Sequence, residues 1–270
     1  MPPMTENDAT IETHSGGETA AALVAFICAA GAGLILPTQG VMSTIGLVLL
    51  FLSGWALLQL DMPIPAVYIL FFILAFLTRI LPCYSLGLML LLPLFVFITV
   101  CVIFEPLRSG TLWLRWGRVT TRGIAVGGAV VALSCVSLVV WYRLCHPDIS
   151  AFTASLPHAS GIVLPAVGVA FSVTNALAEE CIYRGILWEG LYAITRRWPA
   201  VLVVQALIFG VAHWWGVPNG VIGVILGIIY GLMMGIVRRV SGGLLLPVIV
   251  HIFADLVVFT LLLDTAGRLG

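Results

Sequence analysis

Apolar runs long enough to cross a bilayer recur along most of this chain, and they constrain its fold more than any other feature. They lie near residues 19–36, 41–60, 64–81, 86–104, 123–144, 161–195, 199–215, 219–237 and 243–263. A helix needs about 20 apolar residues to span the hydrocarbon layer. The expected fold is therefore all-α, a polytopic transmembrane helix bundle with eight or nine spans, the first of them short and weak. Charged residues make up 9% of the chain. Soluble domains carry about 25%, so a water-soluble fold could not cover its surface with what is left.

The charges that remain are grouped. Arg108, Arg115, Arg118 and Arg122 follow the fourth run, Arg196 and Arg197 the sixth, and Arg238 and Arg239 the eighth. With nine alternating spans all three groups fall on one side, which the excess of basic residues in cytoplasmic loops marks as the cytoplasm. Arg143 and Arg268 dissent as single charges. The expected location is a multi-pass position in a membrane, the plasma membrane of a prokaryote. Residues 1–18 hold Glu6, Asp8, Glu12 and Glu18 and no basic residue. They read as a disordered tail and not as a signal peptide, which needs a positive start. A formal net charge of zero offers nothing to a nucleic acid backbone. Six scattered cysteines without a C-x-x-C pair, Cys83 among them, read as packed hydrophobes.

Two runs have internal features. The run 161–195 would measure about 50 Å as a helix. It reads as one long helix projecting from the membrane, or as a span followed by a short interfacial helix. Gly223, Gly227, Gly231 and Gly235 recur every fourth residue, a smooth ridge that lets another helix approach closely.

Ionisable residues inside spans cost about 2.5–3.5 kcal/mol each at mid-membrane. Most runs avoid them. The exceptions cluster in the last third: Glu179, Glu180, Arg184, His213, His251 and Asp255. Glu180 and Arg184 are four apart, as are Phe209 and His213, and His251 and Asp255, so each pair shares one side of its helix. Glu179 stands seventeen residues before Arg196, about 25 Å along a helix. His213 stands sixteen after Arg197, about 24 Å along the returning helix. The two are expected at one level, with His251 somewhat lower and subject to a kink at Pro247. A carboxylate beside a neutral imidazole can deprotonate a water, and a second imidazole can steady an oxyanion. That is equipment for amide hydrolysis.

Glu179-Glu180-Cys-Ile-Tyr-Arg184 fits E-E-x-x-x-R, Phe209-Gly-Val-Ala-His213 fits F-x-x-x-H, and His251-Ile-Phe-Ala-Asp255 fits H-x-x-x-N/D. In this order, each on an apolar run, they resemble the CPBP family of intramembrane proteases, which includes Rce-type CAAX prenyl endopeptidases and bacterial Abi proteins. The resemblance covers about residues 160–260. It implies a catalytic core at 160–264, with 19–145 as accessory transmembrane helices. It also implies that Glu179 activates water with His213 assisting, that His251 and Asp255 line the oxyanion side, and that Glu180 and Arg184 form a structural pair. The family often has Asn where this chain has Asp255. An ionised Asp cannot donate to an oxyanion, so Asp255 is expected to orient His251. The expected substrate is a membrane protein or a lipidated peptide in the bilayer. Metal-free catalysis is the expectation; zinc held by Glu179, His213 and His251, with Asp255, is the alternative, although H-E-x-x-H is absent.

Other readings stay open. Buried polar groups also serve as interhelical glue in a non-catalytic immunity or scaffold protein, or as a proton relay in a transporter. Asn175, one turn before Glu179, can reach the pocket or bond within the core. Trp214 and Trp215 read as interfacial anchors, and Glu189, near the arginines, as solvated. His14, His146 and His158 carry no assigned role. Oligomeric state is not legible.

Overall fold

The structure is a computed structural model that describes residues 14–80, 86–154, 156 and 161–268. Cys83, His158 and the acidic residues Glu6, Asp8 and Glu12 lie outside the described residues. Among those described, the fold is helical throughout, with no strand. Its helices are α1 (Gly16–Leu34), α2 (Val41–Gln59), α3 (Pro63–Thr78), α4 (Leu86–Ile103), α5 (Thr121–Cys145), the single turn α6 (Ser150–Thr153), α7 (Val163–Glu180), α8 (Trp188–Thr195), α9 (Trp198–Ala212), α10 (Gly220–Ser241) and α11 (Leu245–Thr265). Among the described residues, six segments are long and apolar enough to cross a membrane: α1, α2, α5, α9 with its 3-10 extension to Trp215, α10 and α11. The segments 63–78 and 90–103 are apolar but shorter.

Local chemistry explains several boundaries. The Ser15 hydroxyl accepts from the Glu18 amide at 3.2 Å, and the Glu18 carboxylate accepts from the Ser15 amide at 2.7 Å. This reciprocal cap satisfies two orphan amides. It starts α1 at Gly16, inside the stretch read as tail. Pro247 lies in the first turn of α11, where backbone amides have no helical partner to lose. The kink expected there has no cause.

The long run is unbroken from α7 to α8, joined by a π-helical stretch, Cys181–Leu187. Each π turn admits one extra residue, a widening found at functional sites more often than elsewhere. Two glycines accommodate its neighbours. The fully buried ring of Trp113 lies 2.5 Å from where a Cβ on Gly185 would stand, and Phe26 of α1 occupies the corresponding space at Gly190. The N-terminal helices thereby buttress the back of the site-bearing helix, with α1 and α3 both against α8. A second tie fixes α11. The Arg118 amide donates to Ser241 O at 2.7 Å, and the amides of Leu244 and Leu245 donate to Arg115 O and Trp116 O at 2.8 and 3.1 Å.

The glycine ridge of α10 lies along α9. A Cβ on Gly231 would stand 2.9 Å from the Ala206 Cα, and one on Gly227 3.2 Å from the His213 Cγ. Gly231→Val is therefore expected to force α9 and α10 apart, at about 1–3 kcal/mol for overpacking. Its melting temperature in detergent should fall by several degrees. Gly128→Ala, whose Cβ would meet nothing within 4 Å, is the control and should melt as the wild type does.

Candidate active site

Three helices and the π-helical stretch meet at Glu180. Its side chain is fully buried, and Oε1 accepts from Arg184 Nη1 at 2.8 Å and from His251 Nδ1 at 2.7 Å. Arg184 is also fully buried. Its guanidinium lies 4.6 Å from the ring centroid of Phe209 on α9, a cation–π contact that strengthens when water is excluded. One carboxylate oxygen thus ties α7, the π-helical stretch and α11 together, and Phe209 adds α9.

Because Glu180 can only accept, the His251 Nδ1 must carry the hydrogen between them. The other ring nitrogen, Nε2, faces Glu179 Oε2 and Asp255 Oδ1, each at 3.7 Å. Those distances are ionic contact and not hydrogen bonding. The residue that orients His251 by a hydrogen bond is therefore Glu180, where sequence reasoning had given that task to Asp255. His251 also sits at the level of the two glutamates.

Asn175 joins the remaining acids. Its Nδ2 donates to Glu179 Oε1 at 3.3 Å and to Asp255 Oδ2 at 3.2 Å. A single amide group holds two carboxylates of different helices side by side. Of the adjacent glutamates, Glu180 is sealed while the Glu179 side chain retains 18% of its accessible surface. Of the two, only Glu179 is accessible from outside the bundle.

His213 stands at the end of α9, and its Nδ1 lies 3.0 Å from the Phe209 carbonyl oxygen. A carbonyl accepts, so Nδ1 carries the hydrogen and a neutral ring leaves Nε2 as a lone-pair acceptor. The ring contacts Phe209, centroids 4.4 Å apart, and lies within electrostatic reach of Glu179 and His251. Trp214 and Trp215, next along, are exposed.

Two further residues belong to this neighbourhood. The Tyr230 ring on α10 meets the His251 ring nearly edge-on, centroids 5.3 Å apart; in the sequence it is one aromatic among many on apolar helices. Glu189, read as solvated, instead bonds the largely buried Arg238, whose Nη2 lies 3.1 Å from its Oε1. Arg238 Nε also donates to Arg184 O at 3.0 Å. The physical reason is the helical path: α8 continues directly from the site and lies inside the bundle.

Residues 161–257 match the family model for type II CAAX prenyl endopeptidases, Rce1-like. That stretch carries Glu179, Glu180, Arg184, His213, His251 and Asp255. Over that stretch the chain is similar to the Rce1-like family. No curated protein and no solved structure matches it. The apolar helices and this similarity fit an integral membrane protein, and the similarity supports a protease.

Among the described residues no group of three His, Cys, Asp or Glu side chains is disposed to hold a metal ion.

Proposed function

We propose that this protein is an intramembrane endopeptidase that hydrolyses a peptide bond of a membrane-tethered or transmembrane substrate. The observation that carries the reading is the contrast between the paired glutamates: one sealed into an ion pair, its neighbour accessible from outside the bundle and beside the His251 imidazole. Glu179 takes a proton from water, with His213 Nε2 accepting from the same molecule. The hydroxide adds to the scissile carbonyl, and the departing amine takes a proton from Glu179 as the tetrahedral intermediate collapses. Asn175 and Asp255 hold Glu179 in place. The substrate must present an unwound stretch, because a helix shields its own carbonyls. A lipidated C-terminal peptide suits the family's description, and eight or nine crossings with the arginine-rich loops in the cytoplasm suit the charge pattern.

The chemistry is proposed to need no metal; the sequence has no H-E-x-x-H. The test is proteolysis by the purified protein in liposomes with a panel of lipidated and transmembrane peptides, run in heavy-oxygen water. Each new C-terminus should gain one heavy oxygen atom. Chelators should leave the rate within about twofold. Absence of cleavage across the panel, combined with proton flux through the liposomes, would favour a transporter instead.

A further inference from the structure

Tyr230 stands where the three buried apolar clusters of the molecule meet; its ring packs against all of them. It is edge-on to the His251 ring and 6.0 Å from the Phe209 ring. Phe209 meets His251 on another side, centroids 6.5 Å apart and planes inclined at 71°. The imidazole is therefore walled by two aromatic rings and held at Nδ1 by Glu180.

The phenolic end is not apolar. Tyr230 Oη is buried and makes no hydrogen bond to protein. A hydroxyl withdrawn from water without a partner is costly, and a native site rarely tolerates one without a reason. The charges that act on it are those of Glu180, Arg184, Asp255 and Glu179, and its ring lies against that of His251, whose Nδ1 Glu180 holds. Glu180 Oε2 and the Nε and Nη2 of Arg184 are likewise buried without a protein partner. A phenol that can donate or accept, a carboxylate oxygen that accepts and two guanidinium nitrogens that donate are matched in kind. One bridging water can satisfy such a set.

We infer that Tyr230 is a positioning residue, whose hydroxyl completes the hydrogen bonding of the Glu180–Arg184 pair and so fixes the orientation of His251. It acts through Glu180 and does not touch the substrate. The inference rests on the proteolytic reading for its effect on rate, but its structural half stands apart from that reading.

Tyr230→Phe removes the hydroxyl and keeps the ring. In the liposome assay it should lower kcat about tenfold, the worth of one hydrogen bond to a charged group, with KM unchanged. With nitrogen-labelled histidine, the His251 ring resonances should move while those of His14 and His146 stay in place. A variant with wild-type kcat and unmoved His251 resonances overturns the inference, whatever the protein's activity. A wild type that cleaves nothing, beside a variant whose His251 resonances do move, overturns the proteolytic reading and leaves the positioning role intact. If Tyr230→Phe unfolds, Tyr230→Trp serves in its place. It keeps an aromatic donor in a different position and should reproduce the displaced His251 resonances; unmoved ones overturn the inference.

Discussion

Glutamine in place of Glu179 is expected to abolish measurable cleavage, a loss of roughly three orders of magnitude in kcat if general-base action is removed. The fold should survive the exchange. The hydrogen bond recorded for Glu179 comes from Asn175, and a glutamine oxygen can accept it. The side chain is partly open to solvent, so the amide does not strand a buried donor. Circular dichroism and the melting temperature should match the wild type while kcat collapses and KM holds. Cleavage at wild-type rate by the variant would remove Glu179 from the chemistry. Cleavage lost together with the fold would show that Glu179 is structural, and the case for a base at this position would go with it.

The same substitution at Glu180 should behave differently, and the contrast separates neighbouring residues of one type. Glu180 serves Arg184 and His251 at once through a single oxygen. An amide there can still accept from both, but it no longer neutralises a guanidinium in a sealed site. Motif spacing assigns both glutamates to one short sequence; burial assigns them different work.

How much of this was readable from the residues can be stated element by element. The apolar runs located α2, α9, α10 and α11 to within a few residues, because a helix that meets lipid must be apolar along its length. The Glu180–Arg184 pair was readable because an i, i+4 spacing survives even through a π-helical stretch. That stretch itself was not. Nothing in Cys181–Leu187 departs from ordinary helical composition, and the neighbour packed against it at Gly185, Trp113, comes from a distant part of the chain. The partner of His251 was misjudged for a related reason. Sequence proximity favoured Asp255, one turn away on the same helix, whereas the short hydrogen bond goes to another helix. Glu189 and Arg238 show the limit of reading charge by position: an arginine near the end of an apolar run is a loop anchor or a buried partner depending on which face the bundle closes over. Tyr230 carried no signal, since a tyrosine in an apolar helix has no spacing that tells its hydroxyl's surroundings.

Leucine in place of Arg184 is expected to cost the protein its fold, and the reason is the accounting of one buried charge. Arg184 and Glu180 are both fully buried. Removing one member of such a pair leaves the other uncompensated, typically about 3–5 kcal/mol, which is a large share of the stability of a native protein. The loss has further parts here. The guanidinium stacked on Phe209 disappears. Glu180 must then either take up a proton or draw His251 more strongly toward itself, and either change disturbs the imidazole beside Glu179. Lysine should not rescue, because an ammonium reproduces neither the planar stack nor the fork. Arg184→Leu should therefore yield little folded protein in detergent, with Arg184→Lys not far behind. Arg184→Met combined with Glu180→Gln removes both charges together and should recover part of the melting temperature, since an apolar substitute for a buried pair is often neutral. The double variant should nonetheless stay inactive, because a neutral amide holds the His251 ring less firmly than the carboxylate it replaces. A stable, active Arg184→Leu protein would show that the buried pair is dispensable, and with it the claim that Glu180 organises the site.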